Sequence, residues 1–126
     1  ILSIWKKINL NLKNSMENQF DEIKWENVLN ILEKRFGKKP DLQSIIFLIG
    51  HRELGQLREK FSKEEKQDLI HVGVCVLMSQ AGYYEYVSDD AQGWPHFEPV
   101  RGKEKMDGEA QENILKREII NYFENM

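Results

Sequence analysis

The chain has 126 residues and a mass of 14.9 kDa, which suffices for one domain and leaves too little for a second of ordinary size. Apolar residues make up 40% and charged residues 31%, a balance that excludes a disordered, fibrous or membrane-spanning chain. The net charge of -3 gives no electrostatic reason to expect nucleic-acid binding. One cysteine excludes an internal disulfide framework and a multi-cysteine zinc finger. We expect a globular cytoplasmic protein without a cofactor.

The first 15 residues differ in charge from the rest. They contain Lys6, Lys7 and Lys13 and no acid, whereas residues 16–126 hold 15 basic and 21 acidic residues, a net charge of -6. Their apolar residues fit both one face of a helix and the alternation of a strand, so periodicity does not decide between the two structures. The chain begins at Ile1, and Met16 is a candidate start. We therefore expect a basic extension at 1–15, a single helical domain at 16–126, and no membrane partner, because no apolar run is long enough to span a bilayer.

Two segments predict the first two helices. Between about Asn18 and Phe36, apolar residues recur at helical spacing (Trp25, Val28, Leu29, Leu32 and Phe36). Gly37 and Pro40 end this helix. A second helix is predicted from Asp41 or Pro40 to about Glu59. Its apolar run at 45–49 predicts that it is buried. Gly50 and Gly55 each weaken it by about 1 kcal/mol relative to alanine, so we expect another helix to approach them closely.

A capping box predicts the start of the third helix. Ser62 followed by Glu65 allows the hydroxyl and the carboxylate to bind each other's backbone amides. Residues 69–78 are apolar apart from His71, so this helix is expected to be surrounded by protein, and Gly82 ends it. Asp107 is an N-cap for a fourth helix, whose packing residues are Leu115, Ile119, Tyr122 and Phe123.

The segment between the last two helices is rich in aromatic residues and has no helical period. It is predicted to be either a short hairpin turning at 89–93 or an irregular loop. The predicted fold is therefore all-α: a small four-helix domain with an irregular or short hairpin aromatic segment between the last two helices.

The same segment is a candidate binding surface. It is acidic, because Glu85, Asp89, Asp90 and Glu98 have no lysine or arginine among them, so a charged partner is expected to be basic. A flap that seals the end of the bundle is a compatible interpretation. The candidate surface residues are Tyr83, Tyr84, Tyr86, Trp94, His96 and Phe97.

A second candidate site lies on the third helix, where Asp68, His71 and Cys75 share one face. A metal would need a further ligand such as His51 or His96. The polar groups His51, Glu53, Asp68 and His71 are also predicted to form a pocket between the two central helices, or a structural network that fixes their register. A nucleophilic pair of His71 and Cys75 is disfavoured, because an apolar helix keeps the thiol protonated.

Several short motifs resemble those of a family of small uncharacterised bacterial proteins. They are FLIG at 47–50, ELG at 53–55, KQDL at 66–69, His71, Cys75, GYYE at 82–85 and GWPH at 93–96. The resemblance covers about residues 41 to 97. It implies a bacterial cytoplasmic domain, and no catalytic residue, cofactor or partner can be carried over from it.

Because no catalytic motif is present, we expect a small non-enzymatic protein-interaction module that uses its acidic aromatic surface, with an unknown protein partner and possible homo-oligomers. The alternative is a small-ligand or metal-binding protein, or an enzyme, that uses the polar pocket.

Overall fold

A computed structural model describes residues 20–56, 60–103 and 106–126. Within them the chain forms four helices and one hairpin in the order α1 (Glu22–Phe36), α2 (Leu42–Leu54), α3 (Lys63–Gln80), β1 (Tyr84–Asp89), β2 (Pro95–Pro99) and α4 (Gly108–Glu124). The predicted extension at 1–15 lies outside the described residues.

Each helix begins at a polar side chain that binds its free amides. Asp21 accepts from the amides of Ile23 and Lys24, and Asp107 from that of Ala110. The predicted capping box at α3 is confirmed, because the Ser62 hydroxyl accepts from the Glu65 amide at 3.1 Å and the carboxylate accepts from the Ser62 amide at 3.0 Å.

Helix α2 ends earlier than predicted. It stops at Leu54, because Gly55 adopts the left-handed conformation (φ 70°) and donates its amide to the His51 carbonyl. The expected close approach is confirmed at Gly50 and is wrong at Gly55, where a β-carbon would have nothing within 4 Å. At Gly50 such a carbon would lie 2.0 Å from the Leu69 carbonyl oxygen, and at Gly73 it would lie 2.3 Å from that of Ile46. The two glycines therefore let α2 and α3 pack backbone against backbone.

The all-α prediction is wrong, because the aromatic segment contains a two-stranded antiparallel sheet and the fold is mixed, though mostly helical. Tyr84 pairs with Pro99 and Tyr86 with Phe97, and a bulge at Val87 shifts the register so that Ser88 pairs with His96. Extended aromatic residues on both sides of a glycine turn favour cross-strand pairing over an irregular loop.

One hydrophobic core joins the four helices. Its buried members come from every helix: Trp25, Val28 and Leu32 from α1, Ile45, Ile46 and Ile49 from α2, Leu77 and Met78 from α3, and Ile114, Leu115, Ile119, Ile120 and Tyr122 from α4. Tyr83 and Tyr84 pack against this core at the start of the hairpin, so they fix where the hairpin leaves α3. The hairpin is thereby positioned beside α3.

Candidate functional site

A cleft of about 530 Å³ separates α3 from the hairpin. We call it the hairpin cleft. Its volume is in the range of about 300–1,000 Å³ that is typical of binding sites. The residues that line it are Glu65, Asp68, His71, Val72 and Cys75 on α3, and Asp90, Gln92, Trp94, Pro95, His96 and Phe97 on the hairpin. The cleft thus unites the predicted α3 residues with half of the predicted aromatic surface.

The α3 wall carries the three residues that helical spacing placed on one face. Asp68 is exposed and, among the described residues, forms no hydrogen bond or ion pair. Cys75 is buried, and its sulfur lies 3.6 Å from Nε2 of His71. Burial raises the pKa of the Cys75 thiol, so the thiol is protonated near neutral pH. This wall therefore presents a free carboxylate and a weakly nucleophilic cysteine.

The hairpin wall is held by its turn. Asp90 Oδ1 accepts from the amides of Gln92 at 2.9 Å and Trp94 at 3.0 Å, and Gly93 donates to the Asp90 carbonyl with φ at 86°. The other carboxylate oxygen, Oδ2, lies 3.0 Å from Nε2 of His96. The hydrogen bonds from His96 and from the two amides lower the pKa of Asp90. This carboxylate is therefore ionised and fixed.

The tip of the turn is also tied to the helices. Nε2 of Gln56, two residues after the end of α2, donates to the Gln92 carbonyl at 3.1 Å. The hairpin consequently bridges α3 and the end of α2, and this bridge supports the flap interpretation.

Aromatic rings complete the hairpin wall. Trp94 and Phe97 are half-buried in the cleft, and Phe97 packs edge to face against Tyr86 with ring centroids 5.8 Å apart. Tyr86 is 55% exposed, and its hydroxyl donates to Asp89 at 3.0 Å. The candidate surface residues therefore form two groups. Tyr83 and Tyr84 pack on the core, whereas Trp94, His96 and Phe97 line the cleft and the aromatic surface continues from them to Tyr86.

The predicted polar pocket between the central helices is divided between different parts of the molecule. Asp68 and His71 line the hairpin cleft, whereas His51 packs edge to face against Phe61, with centroids 5.4 Å apart. Glu53 lies near α4, where its carboxylate accepts from the Tyr122 hydroxyl at 2.6 Å. His51 and Glu53 do not line the cleft.

Tyr122 links α2 to α4. Besides donating to Glu53, its hydroxyl accepts from Nη1 of Arg52 at 2.7 Å. Burial and the Glu53 carboxylate raise the pKa of Tyr122, although Arg52 opposes them. Nη1 of Arg52 also lies 3.8 Å from the Glu53 carboxylate, so the hydroxyl is shared between a cation and an anion.

The structure also contains a buried carboxylate on α4 that the sequence pattern did not predict. Glu118 on α4 is 5% exposed and accepts from Gln80 at 3.1 Å, from Arg117 at 3.3 Å and from Asn121 at 3.4 Å. Glu118 lies between Leu115 and Tyr122 at helical spacing, which places it on the apolar face of α4. Its burial could have been predicted from this spacing. The bond from Gln80 joins α3 to α4, whereas Arg117 and Asn121 lie on α4 itself.

Two further properties bear on function. Within 20–56, 60–103 and 106–126, no three histidine, cysteine, aspartate or glutamate side chains are grouped so that they could hold a metal ion. None of the helices in these ranges is long and apolar enough to cross a membrane.

Comparison with protein-family models, with curated proteins and with solved structures gives no match to this chain. The resemblance to a small bacterial family therefore stays a prediction, and the site has to be interpreted from its own geometry.

Proposed function

We propose that this protein is a non-enzymatic protein-interaction module whose hairpin cleft binds a basic segment of another protein. One observation carries the proposal: the cleft combines carboxylates of Glu65, Asp68 and Asp90 with the ring of Trp94, and no described residue that lines it is a lysine or an arginine.

The charge of the cleft selects the ligand. A guanidinium or ammonium group that entered it would meet the exposed carboxylate of Asp68 and the fixed carboxylate of Asp90. The indole of Trp94 adds the attraction of an aromatic ring for a cation, worth about 0.5–2 kcal/mol. An acidic ligand would instead be repelled by the three carboxylates.

The surroundings of the cleft favour a protein segment over a small molecule. Phe97 connects the cleft to the exposed Tyr86, whose hydroxyl binds the exposed acid Asp89. A longer ligand can therefore continue along the same acidic aromatic surface. Tyrosine and tryptophan are typical anchors of such interfaces because they combine a large apolar area with a polar edge.

Binding of a short fluorescently labelled peptide rich in arginine, compared with its glutamate counterpart, tests this proposal. We expect the arginine peptide to bind with a salt-dependent affinity, and the Asp68→Asn and Trp94→Ala variants to bind it several-fold to about tenfold more weakly. Glu64→Gln removes a carboxylate from the same helix outside the cleft lining, so it is the matched control. Equal binding of the two peptides, or an equal effect of Asp68→Asn and Glu64→Gln, would refute the proposal.

The alternative is a small-ligand or metal-binding protein or an enzyme, and the presence of Asp68, His71, Cys75 and His96 in one cleft supports its small-ligand form. The metal-binding form is less favoured, because no three such side chains among the described residues are grouped to hold an ion. Elemental analysis of protein purified without a histidine tag distinguishes it from the first proposal. A stoichiometric metal lost in an His71→Ala variant would favour the alternative.

A further inference from the structure

A second surface has the opposite charge to the hairpin cleft. Two adjacent hollows, of about 490 and 250 Å³, share Phe36 and Leu48 as their common boundary. Phe47 and Ile70 contribute apolar surface to the larger hollow, and Phe123 and Met126 to the smaller one. We call the two hollows together the basic groove. It runs from the start of α3, past the end of α1, to the end of α4.

The groove is positively charged although the chain has a net charge of -3. The lining includes five cations, which are Arg35, Lys38, Arg52, Lys63 and Lys66. The single acidic side chain among the described lining residues is that of Asp41, which caps α2 by accepting from the Ser44 amide at 2.8 Å. Among the described residues, Lys63 and Lys66 form no hydrogen bond or ion pair. Two ammonium groups are therefore available to an anionic ligand.

Phe36 is the apolar centre of the groove. The sequence placed it on the inward face of α1, yet it is 51% exposed. It is the last residue of α1, beyond the part of the helix that the core covers, and the Arg35 guanidinium lies 5.9 Å from its ring centroid. An exposed ring between two apolar hollows is typical of a surface that a partner covers.

We infer that the basic groove binds an acidic amphipathic helix of a partner protein. Such a helix presents apolar side chains at i, i+3 or i+4, and i+7 on one face, and these can enter the hollows on the two sides of the boundary formed by Phe36 and Leu48. Its glutamates and aspartates would then face Lys63 and Lys66 at one end and Arg35 at the other. This inference does not depend on the function of the hairpin cleft.

Other occupants fit the groove less well. Residues 1–15 of this chain contain three lysines and no acid, so they have the wrong charge. Among the described helices of a second copy, α1 exposes Ile23 and Ile31 but carries three basic and three acidic residues, so its net charge does not match the groove. A single fatty-acid-like molecule would satisfy the charge in one hollow and leave the other hollow and its arginines uncovered.

The probes are two synthetic helical peptides with the same leucine face, one with glutamates and the other with lysines on the polar face. Binding to the full chain is measured by fluorescence anisotropy, with dodecanoate as a competing small amphiphile and sedimentation of the free protein as a check for self-association. We expect the acidic peptide to bind at least about tenfold more tightly than the basic one, with an affinity that falls as salt increases.

Two variants locate the binding site. Phe36→Ser should weaken binding of the acidic peptide about tenfold, whereas Ile31→Ser, which replaces a 66% exposed side chain of the same helix outside the groove, should not. The double variant Lys63→Glu/Lys66→Glu should abolish binding without unfolding the protein, because acids in the first turn of a helix favour its dipole. Lys60→Glu/Arg101→Glu makes the same change of net charge outside the groove and is its control.

The outcomes are decisive in either direction. The inference is supported if the protein prefers the acidic peptide and if both groove variants bind that peptide more weakly than the wild type does. Equal affinity for the two peptides, absence of binding, or equal effects of groove and control variants would overturn it. If dodecanoate binds more tightly than the acidic peptide, at one molecule per chain, the groove is assigned to a small amphiphile. If the protein self-associates and the double lysine variant does not, the groove is assigned to a second copy. Both of these results also overturn the inference.

Discussion

The carboxylate of Asp90 joins the turn of the hairpin to the side chain of His96, because one of its oxygens binds two turn amides and the other lies 3.0 Å from the imidazole. One ionised group thus holds both the backbone of the turn and a side chain of the cleft wall. The shape of the hairpin cleft depends on this carboxylate.

This arrangement predicts a local dependence on pH. The pKa of Asp90 in the folded protein lies below its ordinary value of 3.8, so the folded hairpin prefers the carboxylate form. The stabilisation is complete above the ordinary pKa and is lost as the pH falls through the lowered pKa of the folded state. We expect the protection of the Gln92 and Trp94 amides, measured relative to their intrinsic exchange rates at each pH, to decrease below about pH 4 while the helices stay protected.

Two substitutions separate charge from hydrogen bonding at this position. Asp90→Asn retains an oxygen that can accept from the turn amides, so the hairpin should form without the dependence on pH. Asp90→Ala removes the acceptor and should increase exchange at every pH. An unchanged pH profile in Asp90→Asn would show that another group is responsible.

A second prediction concerns the contact between α2 and α3. A methyl group at Gly50 or Gly73 would overlap a backbone carbonyl of the other helix, and a backbone atom cannot turn aside as a side chain can. We expect Gly50→Ala and Gly73→Ala to lower the free energy of unfolding by about 1–3 kcal/mol in urea titrations, despite the better helix propensity of alanine. Gly108→Ala is the control, because the space around it is open, and it should be neutral or stabilising. Unchanged stability at positions 50 and 73 would contradict the packing.

The sequence predicts those features of the fold that depend on interactions between residues close together in the chain. The caps at Ser62 and Asp107 involve atoms within three residues of each other, so the sequence pattern was sufficient. Gly50 and Gly55 looked alike in the sequence, and only the packing of α3 against Gly50 and the turn at Gly55 distinguish a contact glycine from a helix end. The sequence also placed Asp68, His71 and Cys75 on one face through helical periodicity.

The rest of the candidate site depends on contacts between distant segments. Asp68 and Trp94 line one cleft because the hairpin folds back on α3 and is tied to α2 by Gln56, and no local pattern encodes that return. The sequence does not distinguish a hairpin from an irregular loop, because the pairing of Tyr86 with Phe97 depends on residues of both strands. Periodicity also placed Phe36 in the core, whereas α1 extends beyond the core and leaves this ring in the basic groove.

A third prediction tests the link between α2 and α4. Tyr122→Phe removes the hydroxyl that Arg52 and Glu53 share, and the two partners remain close to solvent. We therefore expect a loss of about 1 kcal/mol in the free energy of unfolding. Tyr84→Phe is the control, because the hydroxyl of Tyr84 has no hydrogen-bond partner among the described residues. Equal effects of the two substitutions would mean that the shared hydroxyl contributes no stability.

The same tyrosine predicts a dependence on alkaline pH. Its pKa in the folded protein is raised above 10.0, so the folded state retains the phenolic proton more strongly than the unfolded chain. This contribution is complete below pH 10 and decreases as the pH rises through the raised pKa. Urea titrations from neutral pH to above pH 10 should show a decline in the wild type that is smaller in Tyr122→Phe. A parallel decline in both proteins would assign it to another group, such as the exposed Tyr86.

The last prediction decides whether Cys75 has any nucleophilic role. The thiol is buried beside His71, and desolvation without a neighbouring cation raises its pKa, whereas a catalytic cysteine has a lowered pKa and an exposed sulfur. We expect iodoacetamide at neutral pH to alkylate the native protein at least about tenfold more slowly than the urea-unfolded chain. His71→Ala should leave the native rate nearly unchanged, because the imidazole does not activate the thiol. Rapid alkylation that depends on His71 would instead identify a Cys–His pair and would favour an enzyme over an interaction module.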